Sequence, residues 1–417
     1  MPENLQKTSI MKKIILLGMM TCAVLTASAQ GGNTRMGGDD GDYQSLAERL
    51  AKIEKKNDIF NVYLDYAASA QAKDYSGEWT SGFANRQLRL EVKGNLTDKI
   101  FYRLRHRLNK SNAAKGEDNF AKATDIMMVG YNVSDKLALM GGKMCQIWGG
   151  FEYDENPMYI YEYSDLVGNM DIFMTGFVAS YKPVPTQEIA VEVCDANNGT
   201  LNEDYGNNLV SLGPDHRVEP LLPASHPLTF IANWNGSFFD DRLQTRWSLG
   251  TQKQAKGKSS QMLTLGQRLN LPKLQWYLDY MVAWDGMDRL GIATNDGADA
   301  YLSKVEIDPE LVQNLRFQDV NYRSFITKLN WQFAPQWNLM LKGTYETASV
   351  KGIDMLKNYR KSFVCAGSVE YYPDRSQDFR VFLAYIGHKY NYSKKAGLDS
   401  HNTNRVELGF MYRIKCY

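Results

Sequence analysis

From about Ile59 onward, apolar and polar residues alternate with a period of two. In NRQLRLEVKG, Leu88, Leu90 and Val92 take one side and Gln87, Arg89, Glu91 and Lys93 the other. In SFITKLNWQF, Phe325, Thr327, Leu329, Trp331 and Phe333 oppose Ile326, Lys328, Asn330 and Gln332. In RVELGFMYRI, Val406, Leu408, Phe410, Tyr412 and Ile414 oppose Arg405, Glu407 and Arg413. Successive side chains of a strand point to opposite faces, so each run predicts a strand with one apolar and one polar face. The runs are about ten residues long, the length of a tilted strand that crosses a membrane.

About sixteen such runs are predicted, an even number as in bacterial barrels. They begin near residues 58, 84, 99, 123, 136, 171, 187, 227, 241, 258, 273, 321, 336, 358, 378 and 403. Short turns near 95–98, 134–135, 183–186, 236–241, 270–272, 334–335 and 373–377 alternate with mostly longer connections, the largest near 148–170, 195–226 and 285–320. Periplasmic turns and extracellular loops alternate in this way. In hydrocarbon every backbone N–H and C=O needs an internal partner, so such a sheet must close on itself. At about sixteen strands the closed cylinder holds water rather than a packed core. The fold class is therefore all-β: a transmembrane antiparallel β-barrel over residues 58–417, with a short N-terminal helix. Two strands read less simply. KLALMGGKMCQ leaves the orientation of Lys143 and Cys145 open, and Ile126 to Val129 is apolar on both faces, as burial beneath an inward-folded loop requires.

The N-terminus breaks the alternation. Lys12 and Lys13, the apolar stretch from Ile14 to Leu25 and the Ala27-Ser28-Ala29 cleavage site read as a signal peptide over residues 1–29, with residues 1–10 a mis-set start. Residues 30–57 read as a flexible Gly- and Asp-rich leader followed by a helix of about three turns. Ser45 and Glu48 fit a capping box, and Leu46, Leu50 and Ile53 recur at helical spacing. That helix suits either a small periplasmic coiled coil or an element packed on the barrel rim or plugging into it. These features place the protein in the outer membrane of a Gram-negative bacterium.

Composition narrows the classes further. Among 417 residues the net charge is +1, which gives no support to a nucleic-acid partner. The mean hydropathy is −0.43, and beyond the N-terminus no apolar run approaches the ~20 residues of a membrane helix. Tyrosine is abundant, at 25 residues, as the interface girdles of barrels require. The scattered Cys145, Cys194, Cys365 and Cys416 form no C-x-x-C pair and the five histidines no H-x-x-x-H or H-E-x-x-H, so no metal or cofactor is expected.

The candidate chemistry is electrostatic. In YRLRHRLN, Arg103, Arg105 and Arg107 share one face of a strand while Leu104 and Leu108 face lipid. Arg89 and Lys93 on the preceding strand point the same way, which gives a basic wall along one sector of the pore. His106 falls on the apolar face, which is costly at mid-depth unless the ring is neutral or near a rim. The long connection Trp148 to Met170 carries Glu152, Asp154, Glu155, Glu162 and Asp165 and no Lys or Arg. Folded inward, it is the candidate constriction loop, and an acidic loop opposite a basic wall would set a transverse field across the narrow part.

Three stretches carry a family resemblance. TDIMMVGY (Thr124 to Tyr131), LALMGGK (Leu137 to Lys143) and WGGFE (Trp148 to Glu152) resemble successive motifs of the phosphate-selective porin O and P family. The family's Pro-Phe-Gly is missing at the third. The resemblance implies a sixteen-stranded homotrimeric porin for passive diffusion of small solutes. It also implies that Arg103, Arg105 and Arg107 look like part of an arginine ladder. Because the candidate constriction loop is acidic, phosphate selectivity is not carried over with the rest. The expected function is passive diffusion of ions and small hydrophilic solutes, with anions such as phosphate among them, and the expected partners are outer-membrane lipid and those solutes. Two alternatives from other classes are an outer-membrane barrel enzyme of lipase or protease type, for which no Ser/His/Asp spacing is recognisable, and a secreted β-rich binding protein, which would remain soluble without detergent.

Overall fold

The computed structural model describes residue 46 and residues 59–113, 120–213, 217–305, 314–373 and 378–416. The signal peptide, the leader, the N-terminal helix apart from Leu46, and Tyr417 lie outside them.

Among the described residues, eighteen strands occur in chain order. The first seven are β1 (Asn61–Tyr75), β2 (Glu78–Asn95), β3 (Ile100–Arg107), β4 (Thr124–Asn132), β5 (Leu137–Cys145), β6 (Phe173–Val184) and β7 (Gln187–Asp195). The short β8 (Leu209–Leu212) and β9 (Val218–Pro220) follow. Then come β10 (Leu228–Phe238), β11 (Leu243–Ala255), β12 (Lys258–Leu271), β13 (Leu274–Met287) and β14 (Asn314–Ala334). The chain closes with β15 (Trp337–Val350), β16 (Arg360–Tyr371), β17 (Phe379–Tyr392) and β18 (His401–Lys415). Apart from β8 and β9, each strand pairs antiparallel with the next, β7 pairs with β10, and β18 returns to β1. With β8 and β9 set aside, this is a closed sixteen-stranded barrel.

All but two strands begin within three residues of the predicted positions. β2 starts six residues early, at Glu78, because Ser76 and Gly77 both take positive φ and close a two-residue hairpin. The residues from Glu78 to Phe83 are all exposed, so the apolar alternation that marks a half-buried strand is missing there. β14 starts seven residues early because Asn314 to Phe317 pair in parallel with β8, a partner more than a hundred residues upstream.

The outward faces carry the apolar residues. Trp247, Trp276, Trp331, Trp337, Leu341, Phe363, Leu383 and Leu408 are among the large exposed side chains. Inward faces carry Lys328, Asn330, Lys342, Glu346 and Arg413, all buried. Leu108 is exposed on the outer face, and His106 lies one residue from the end of β3, where it bonds to Thr124 and Asn112 near the rim.

The connection 146–172 folds into the barrel. It contains two short helices, α1 (Phe151–Asp154) and α2 (Asp165–Gly168). Its Trp148, Phe151, Leu166 and Val167 join Ile126 and Met128 of β4 in the largest apolar cluster. The double-sided hydrophobicity of β4 is thus the footprint of this loop.

Candidate functional site

Two glycines start the inward turn. Gly149 (φ 71°) and Gly150 (φ 78°) sit in the left-handed region, and a Cβ on Gly150 would stand 2.9 Å from the Met281 methyl. The backbone beyond them meets the wall through carboxylates. Asp279 of β13 accepts from the amides of Phe151 and Glu152, both at 2.8 Å. Glu346 of β15 accepts from Asp165 and Leu166, at 2.6 and 3.1 Å. Glu192 of β7 accepts from Ile147 at 2.7 Å. The bonds to Asp279 and Glu346 satisfy N–H groups at the starts of α1 and α2, which helices leave unpaired.

Every one of the five loop acids meets a wall cation. Glu152 pairs with Lys342, Asp154 with Arg246 at 3.0 Å, and Glu155 with Lys328. Glu162 pairs with Arg405 and Asp165 with Arg360, both at 2.8 Å. Loop carbonyls are taken as well: Lys328 donates to Tyr159 at 2.7 Å and Arg86 to Tyr161 at 2.6 Å. Four of the five cations stand on β11, β14, β15 and β16, each at least four strands from β2 in the closed order, and Arg405 stands on β18. The loop acids thus pair with strands other than β2 and β3, and ion pairing there compensates their charge.

The arginine row lies on the other side of the loop. Arg89, Lys93, Arg103, Arg105 and Arg107 all line one cavity of about 1320 Å³, together with the loop residues Tyr153 to Tyr159 and Tyr163. Asp154 and Glu155 line it as well, while Glu152, Glu162 and Asp165 do not. Among the described residues, thirteen Lys and Arg line the cavity against eight Asp and Glu.

The row is partly compensated within the wall. Arg103 binds Glu91 at 2.7 Å, and Glu91 also meets Arg413 at 2.6 Å. Arg105 and Arg107 share Asp125, at 3.3 and 2.5 Å. Lys93 lies over the Tyr63 ring at 5.0 Å. Arg89 has no ion pair or hydrogen bond among the described residues, yet it sits directly opposite Arg107 in the β2–β3 register. Like charges facing each other across strands are unfavourable without an anion between or beside them.

Sequence periodicity misses two of these charges for one reason. A bulge in the β1–β2 pairing, where Ala67 meets Gln87 and Ala68 meets Asn85, leaves Arg86 as an extra residue that turns inward to Glu407 at 3.1 Å. A second bulge, in the β3–β4 pairing, makes Asp125 the extra residue. A bulge sets two residues against one and breaks the period of two. On β5, positive φ at Gly142 interrupts the phase, and both Lys143 and Cys145 line the cavity. Arg380 and Arg413, also on the cavity, follow the ordinary alternation of β17 and β18.

Comparison with known proteins follows the same outline. A family model described as "Phosphate-selective porin O and P" matches residues 60–414. Among solved structures, the outer membrane channel DcaP of Acinetobacter baumannii aligns with a TM-score of 0.57 at 10% identity, over 88% of this chain and all of that one. An anion-selective porin from Comamonas acidovorans aligns with a TM-score of 0.54 at 10% identity, over 85% of this chain and 99% of that one. At such identities the likeness is one of fold. Comparison with curated protein sequences finds no match.

Proposed function

The chain belongs to the phosphate-selective porin O and P family, and from that membership we propose that its lumen favours small hydrophilic anions over cations. The protein is an outer-membrane porin through which small solutes diffuse passively, a channel rather than an enzyme. The observation that carries the anion reading is the charge of the path itself: among the described residues thirteen cations stand on its lining against eight acids, with Arg89 and Arg107 opposite each other in the β2–β3 register. Fixed positive charge in a cavity with low-dielectric walls raises the local anion concentration.

A planar bilayer under a salt gradient tests this. Purified protein gives ohmic channels whose reversal potential reports anion preference, and Arg89→Ala moves it towards cations. A cation-selective wild-type channel would overturn the reading. The shift shrinks as salt rises, because the screening length falls from about 10 Å at 0.1 M to about 3 Å at 1 M. Family membership also supports a homotrimer, which cross-linking in detergent checks. Residues 1–29 are proposed as a cleaved signal peptide, which N-terminal sequencing of the mature protein checks.

A further inference from the structure

The outer surface of β13–β17 carries two adjacent cross-strand rows near the rim that holds the connections 351–359 and 393–400. The lower row is aromatic. Tyr280, Phe325, Tyr345 and Phe363 follow one another in register on β13, β14, β15 and β16. The ring centroids of Tyr280 and Phe325 are 4.6 Å apart, and those of Tyr345 and Phe363 4.9 Å. Between Trp337 and Tyr345, β15 turns only Leu339, Leu341 and Gly343 outward. A tilted strand crosses hydrocarbon in about 9–11 residues, so the Tyr345 row marks the upper boundary of the apolar band. The row above it is polar: Arg323, Thr347, Lys361 and Asn391 follow one another in register on β14–β17. Lys389, one side-chain step lower on β17, stands beside Phe363. All three cations are exposed.

Arg323 donates to the Asn321 side chain at 3.1 Å. Among the described residues none of the three cations has an acidic partner, and the outward positions of β13, of β14 from Asn321 onward and of β15–β17 hold no Asp or Glu. Lys361 and Lys389 are diagonal neighbours, about 7–8 Å apart, and like charges so placed repel unless an anion lies between them. A single cation at a bilayer boundary needs no ligand, since its head reaches water. Three on neighbouring strands, unpaired and directly above a row of rings that meets acyl chains, fit a ligand with negative charge above and an apolar body below. We propose that this face binds a phosphorylated glycolipid of the outer leaflet. Its phosphates sit among Arg323, Lys361 and Lys389, and its acyl chains lie along the Tyr280–Phe363 row. Basic clusters beside a membrane recognise anionic head groups in this way. Thr347 and Asn391 supply further donors to phosphate and sugar oxygens. Free phosphate would leave the aromatic row unused. The site lies outside the barrel, so it stands apart from the anion reading of the lumen.

The test uses the full-length protein in mild detergent, with lipid A as the probe. The wild type binds phosphorylated lipid A more tightly than the same lipid after enzymatic dephosphorylation. Removing one cation near an anionic head group weakens binding about fivefold, so Lys361→Gln loses about that factor and Arg323→Gln/Lys361→Gln/Lys389→Gln loses more. The triple variant no longer distinguishes the two forms of the lipid, while Lys361→Arg, which keeps the charge, binds as the wild type does. Heat-modifiable mobility on electrophoresis shows that the barrel has formed in each variant. If the triple variant fails to form it, Lys361→Gln alone decides. Equal affinity of wild type and charge-removing variants overturns the proposal. So does displacement of lipid A by millimolar inorganic phosphate, or equally tight binding of phosphatidylethanolamine. A photo-cross-linker at position 361 that captures a second copy of the chain in membranes, in place of lipid, overturns it too.

Discussion

Two sectors of the barrel wall carry cations on their inward faces, and they use them differently. On β11, β14, β15 and β16, Arg246, Lys328, Lys342 and Arg360 each meet an acid of the folded loop. On β2 and β3, Arg89, Lys93, Arg103, Arg105 and Arg107 face the cavity, and the acids near them, Glu91 and Asp125, come from the wall itself. The first sector is an anchor and the second is a lining. The same residue type thus gives rigidity where a loop supplies the counter-charge and leaves a field where the wall's own acids compensate it only in part. A sign count along the chain cannot separate the two uses, because both sectors alternate alike.

The sharpest way to break this contrast is Lys342→Met. It leaves Glu152, which is fully buried, without its cation. Removing one partner of a buried pair costs about 3–5 kcal/mol. The heat-modifiable transition falls, and single-channel traces become larger and noisier as the loop loosens. If both stay at wild-type values, the anchor description fails.

Next in size is the lining. Replacing Arg103, Arg105 and Arg107 together by Ala uncovers Asp125 and shifts the reversal potential strongly towards cations. Asp125→Asn moves it the opposite way, since it releases Arg105 and Arg107 from their shared acid. Shifts of one sign from both changes would mean that these groups do not border the conduction path. The smallest effect is expected at Lys395, whose pair with Asp354 is mostly exposed. Exposed pairs contribute about 0–1 kcal/mol, so Lys395→Ala leaves conductance, selectivity and the thermal transition unchanged within error.

Much of this was legible in the residues. Leu88 and Arg89, or Leu341 and Lys342, declare their faces by alternation alone, because the bilayer outside and the water inside impose a period of two on every strand. The acidic stretch Glu152 to Asp165 stood out by composition. Its partners did not, because Lys342 follows Glu152 by 190 residues and nothing local links them. Arg86 and Asp125 were hidden by bulges, which depend on how two strands pair rather than on either strand's own pattern.

The sequence by itself determined the closed all-β barrel, its strand count and which side of most strands is wet, since those follow from residue-by-residue alternation and from the need to pair every backbone group in lipid. Only the tertiary structure decided which charges remain on the path. Ion pairing is settled by side chains that meet across the lumen, at distances in space that separation along the chain does not encode.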